Sequence, residues 1–88
     1  MSLKITANTL ATNRYLEVHG NGVSYNESAL FSNVRNFTFN EIDFILLSED
    51  NVLSFQVKQE VFSIPINPNK EKHKQVIDTL IREVTRIH

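Results

Sequence analysis

The residues that could do chemistry are few. Three histidines, His19, His73 and His88, are the candidates for metal ligation or proton transfer. No two of them stand four apart, and the chain has no cysteine to complete a tetrahedral set, so no metal site is expected. His73 falls near the apolar side of a helical pattern, where partial burial at a helix start is its simplest role. Glu41, Asp43, Glu49 and Asp50 form an acidic stretch, and paired carboxylates can serve acid–base chemistry or hold a hard cation. The central glycine of a calcium loop is missing, and the stretch reads as solvated surface. None of the seven serines stands in Gly-x-Ser-x-Gly, and Gly20 and Gly22 do not make a phosphate loop. The expectation is a chain that is not an enzyme and needs no cofactor.

Two groups of residues point instead to binding. Lys70, Lys72 and Lys74 crowd a helix start, where the dipole disfavours bases. Together with free N–H groups they could hold a phosphate or an acidic segment. Leu30 and Phe31 are adjacent, so on a strand they would point to opposite faces, and one would need cover from outside the nearest sheet. Joined by Ile45 and Leu47, they form a candidate contact patch for a protein partner or for self-association.

The elements that position these residues follow from composition and pattern. At 88 residues and 10.2 kDa, the chain is expected to be a single domain over 1–88. Val, Ile and Leu number eight each and Phe six against three Ala, a branched and aromatic set that favours sheet over helix. Net charge is −1, without the basic excess that accompanies nucleic-acid binding. Residues 26–66 hold two bases and six acids and residues 68–88 five bases and three acids, so the middle is acidic and the tail basic. With no apolar run long enough for a signal core or a span, the expected location is cytoplasmic. The sequons at Asn26 and Asn36 are read as chance.

Alternation predicts strands at Leu3–Ala7, Arg14–His19, Val23–Asn26, Val34–Asn40, Ile42–Ser48, Leu53–Val57 and Val61–Ile66. Gly20-Asn21-Gly22 predicts a hairpin, its Asn-Gly pair supplying the positive φ of a primed turn. Residues 27–33 break the pattern and read as a loop or a helical turn. The fifth strand sets Ile42, Phe44 and Leu46 opposite Asp43, Ile45 and Leu47, apolar on both sides, which predicts cover on both faces. Pro65 marks an edge or a strand end. At Asn67-Pro68 the period changes to 3.6, and a helix over about 68–87 buries Val76, Ile77, Leu80, Ile81, Val84 and Ile87.

This order carries a cadence: Arg14-Tyr15-Leu16-Glu17-Val18-His19-Gly20-Asn21-Gly22-Val23-Ser24-Tyr25, then Phe37-Thr38-Phe39-Asn40-Glu41-Ile42, then Asn51-Val52-Leu53-Ser54-Phe55, Val61-Phe62-Ser63-Ile64-Pro65-Ile66 and a closing helix. It resembles bacterial pleckstrin-homology-like domains over most of the chain. The resemblance implies a mainly β fold, a barrel or sandwich of about seven antiparallel strands in two near-orthogonal sheets capped by a C-terminal α-helix. Phosphoinositide-binding members carry a lysine in the first strand and a basic pair after the first turn. Here Lys4 and Arg14 are tolerably spaced, but Leu16 follows and the Gly20–Gly22 turn has no base, so the lipid motif is absent. The resemblance implies a binding or assembly scaffold acting through protein contacts, with self-association through exposed sheet edges as one form. The alternative is recognition of an anionic membrane surface or a phosphorylated ligand by Lys70, Lys72 and Lys74.

Overall fold

In the computed structural model, residues 3–8, 13–26 and 34–87 are described. The elements are β1 (Leu3–Asn8), β2 (Asn13–Val18), β3 (Gly22–Asn26), β4 (Val34–Thr38), a 3-10 turn (Phe39–Glu41), β5 (Ile42–Leu47), β6 (Val52–Val57), β7 (Glu60–Pro65) and α1 (Glu71–Ile87). All pairing is antiparallel, in a four-stranded sheet ordered β1-β2-β3-β4 and a three-stranded sheet ordered β5-β6-β7. The two sheets pack as an open sandwich. The barrel expected as one form of the fold does not close, because no ladder joins the sheets among the described residues.

Alternation builds the core between the sheets. Ile5, Leu16, Val18, Val23 and Tyr25 face inward from one sheet, and Leu53, Phe55, Phe62 and Ile64 from the other. Tyr25, Phe37, Phe55 and Phe62 meet edge-on or tilted at centroid distances of 5.1 to 6.0 Å, with Phe55 and Phe62 stacked. Arg35 on β4 lies 4.9 Å over the Phe62 ring and forks onto Glu60 of β7 at 2.9 and 3.2 Å, tying the sheets together. Across the sandwich the Tyr25 hydroxyl donates to the Ser63 carbonyl at 2.7 Å, and Arg14 donates to the same carbonyl. The apolar stripe of α1 then closes one side, burying Val76, Ile77, Leu80 and Val84 against β1, β2, the 3-10 turn and β5.

Four local expectations are corrected. The hairpin forms, but its turn residues are Gly20 and Asn21, bracketed by the His19 N–H to Gly22 carbonyl bond, and none of the three has a positive φ. Left-handed φ values occur instead at Asn51 and Lys58, in the β5–β6 and β6–β7 turns. Gly22 is required for space, since a Cβ there would lie 2.1 Å from the Phe37 carbonyl oxygen. The fourth strand ends at Thr38. Glu41 reaches back to the Thr38 N–H at 2.9 Å and to its hydroxyl, a capping box that starts the 3-10 turn and buries Phe39.

The third correction concerns the helix start. Asn67 does not cap it at Pro68: its side chain accepts the Asn69 N–H at 3.0 Å and its carbonyl accepts Lys70 N–H, so 67–70 form a separate turn and α1 begins at Glu71. The fourth concerns β5. A bulge between Ile42 and Phe44 inserts Asp43, so Ile42 shares the inner side with Ile45 and Leu47, while Phe44 and Leu46 turn outward beside Gln56 and Ser54. The outer face is not covered: Phe44 is 48%, Leu46 57% and Val61 61% exposed.

Candidate functional site: the groove between β5 and α1

β5 pairs with β6 on one side only among the described residues, which leaves it an edge. Such an edge presents N–H and C=O groups to whatever lies beside it. What lies beside it is α1, and between them run two shallow cavities. One, of about 360 Å³, is lined by Asp43, Phe44, Ile45, Ile81, Val84 and Thr85. The other, of about 260 Å³, is lined by Leu47, Asn51, Ile66, Pro68, Lys74, Ile77 and Asp78. Both draw on the same helical stripe, residues 74, 77, 78, 81, 84 and 85, whose spacing of three and four keeps it facing β5. The two cavities are thus successive stations of one groove, with α1 running antiparallel to β5.

Two candidate contact residues from the sequence fall here. Ile45 is half-buried and packs against the core, and Leu47 is 47% exposed at the groove wall. Leu30 and Phe31 lie outside the described residues. Sequence reasoning missed the opposite wall. Ile81 and Ile77 read only as core-facing, and the signal that could have separated them is the position of Ile81 at the border of the apolar sector, where it stays 42% exposed.

Helical spacing divides the three lysines between two sides. Lys70 precedes α1, and its carbonyl accepts the Lys74 N–H at 3.2 Å. Lys74 joins the groove, whereas Lys72, two residues before it, projects about 200° round the helix. The bases on the strands are engaged elsewhere: Lys4 sits 4.2 Å over the Tyr15 ring, Arg14 turns inward to Ser63, and Arg35 is held by Glu60. Glu60 is in turn held below the usual carboxylate range by the Arg35 hydrogen bond, and Glu41 by its bonds from Thr38.

The histidines also resolve. His73 is buried, and its Nδ1 accepts the Asn67 N–H at 2.9 Å, latching the turn to the helix. Burial, helped by nearby Lys70, pushes its pKa down and favours the neutral ring that this bond needs. His19 Nε2 lies 2.7 Å from the Ser24 hydroxyl, and Glu17 lies 3.9 Å from the same nitrogen. The group superficially matches a nucleophile with its base. However, Ser24 donates its proton to Asn36 Oδ1, so His19 Nε2 must be the donor to Ser24, which is opposite to the direction of proton abstraction. Glu41, Asp43, Glu49 and Asp50 are all exposed, and no group of three His, Asp or Glu among the described residues could hold a metal.

Comparison with known proteins bears on the fold. The chain is similar to the N-terminal PH domain of human ARAP2, with a TM-score of 0.60 and 18% identity over 97% of this chain and 76% of that one. The fold is PH-like. No protein-family model matches the chain, and no curated protein matches it. No helix among the described residues is long and apolar enough to cross a membrane.

Proposed function

We propose that this chain is a non-enzymatic protein-binding module that accepts an extended segment of a partner along the open edge of β5, with the segment's side chains seated against α1. The observation that supports this most directly is the coincidence of a β5 edge that no second strand pairs among the described residues with an apolar groove of two cavities beside it. Strand addition takes affinity from main-chain hydrogen bonds and specificity from alternate side chains entering such cavities. The PH-like fold agrees with a binding role without selecting the partner. The division of the lysines round the helix start and the engagement of Lys4, Arg14 and Arg35 elsewhere favour this reading over the anionic-ligand one.

A display library of random short peptides, selected on the purified protein, tests the proposal. Enriched peptides are expected to lose roughly tenfold or more in affinity for Leu47→Asp and to keep it for Leu46→Asp, which alters only the outer face. Peptides indifferent to Leu47→Asp would overturn it. So would a chain that enriches no peptide but binds acidic vesicles and loses them on charge reversal of Lys70, Lys72 and Lys74.

A further inference from the structure

The two ends of the groove differ in charge. At the cavity formed by Phe44, Ile45, Ile81, Val84 and Thr85, the one charged lining residue among the described residues is Asp43, brought to the wall by the β5 bulge. Neither Arg82 nor Arg86 lines it, and Arg86 is held at 2.7 Å by Glu83. At the other cavity Lys74 and Asp78 stand together one turn apart and offset each other. The groove is therefore apolar along its length, neutral at the Leu47 end and anionic at the Asp43 end.

We infer that the segment taken up by β5 carries two apolar residues spaced by one and a basic residue two positions further on. Its occupant is a foreign polypeptide of the form apolar-x-apolar-x-Lys/Arg. This rests on the strand-addition reading above and specifies the partner's chemistry. In antiparallel addition, the better-bonded orientation, the ligand's chain direction runs from the Leu47 end toward the Asp43 end. Side chains on the groove side recur every second residue, about 6.6 Å apart. The residue opposite Leu47 then enters the cavity with Ile66, Pro68 and Ile77, and the residue opposite Ile45 enters the one with Ile81 and Val84. The next on that side meets Asp43. A second copy of this chain is a poor occupant, because none of its nine Lys and Arg residues has apolar residues both two and four positions before it, apart from the proline and isoleucine preceding Lys70. Those two, Ile66 and Pro68, already line the groove themselves.

The test is a peptide library of that form in which the last position is varied among Lys, Arg, Thr, Asp and Glu, sorted on the wild-type protein and on Asp43→Lys. Asp43 is exposed in a bulge, so the substitution leaves the core untouched, and circular dichroism checks the fold of both proteins. The wild type is expected to favour the basic peptides over the acidic ones by roughly two- to fivefold, a preference reduced by salt. On Asp43→Lys the order is expected to invert. Equal binding of basic and acidic peptides, with no inversion, would overturn the charge assignment; if those peptides still failed on Leu47→Asp, the groove itself would stand. Enrichment of no peptide from the set, on either protein, would overturn both.

Discussion

Gly20 and Gly22 flank the same hairpin, and the structure separates them sharply. A Cβ at Gly22 would lie 2.1 Å from the Phe37 carbonyl oxygen and 3.0 Å from both the Phe37 carbonyl carbon and Thr38 Cα. All three are backbone atoms of β4, which pairs with β3 through Gly22 and Thr38, so no side-chain rotation relieves the clash. An ordinary carbon-to-oxygen contact is above 3 Å, and Gly22→Ala must push β3 and β4 apart by about 1 Å at the corner where Phe39 N–H reaches Asn21 O. Overpacking of this kind costs about 1–3 kcal/mol. For a chain of this size each kcal/mol lowers Tm by roughly 4–8 °C. At Gly20 nothing lies within 4 Å and φ is not positive, so Gly20→Ala is expected to be neutral or to stabilise by up to about 1 kcal/mol through the unfolded chain. Thermal and urea unfolding of the two variants side by side is the assay. If Gly22→Ala melts with Gly20→Ala, the steric account of this corner is wrong.

Two other substitutions probe the turn before α1 and the joint between the two sheets. His73 must be neutral to accept Asn67 N–H, and its folded pKa lies below the ordinary value of 6.5. Between those two values the unfolded chain binds more protons, so the latch's contribution is full above about pH 6.5 and is lost as pH falls through the folded pKa. Urea midpoints should drop over that window in the wild type, and His73→Asn should lack that component of the slope; identical slopes would refute the latch. Tyr25→Phe removes the 2.7 Å bond to the Ser63 carbonyl from a buried site and should cost about 1 kcal/mol by urea unfolding. No loss would mean that Arg14 alone satisfies that carbonyl.

Much of the strand framework was legible because each strand needs only local alternation to reveal itself: Leu16 and Val18, Leu53 and Phe55, Phe62 and Ile64 all face inward as their spacing requires. The helix was legible for the same reason, down to Val76, Ile77, Leu80 and Val84, yet its first residue was not. Asn67 and Pro68 are good starters, but a neighbouring N–H took the Asn67 side chain and His73 took its own N–H. Of the groove, Ile45 and Leu47 were readable as unusual apolar residues, while its opposite wall was hidden among core positions of α1.

Amino-acid pattern alone thus determined the number of strands and the closing amphipathic helix, because these depend on residue type and on periods of two and 3.6 along the chain. Tertiary structure decided which apolar residues stay uncovered. A one-residue bulge at Asp43 moved Ile42 inward and Phe44 and Leu46 outward, and the order of strands left β5, beside α1, with β6 as its one paired strand among the described residues. Both outcomes depend on cross-strand register and on packing between distant segments, and a single strand's sequence contains neither.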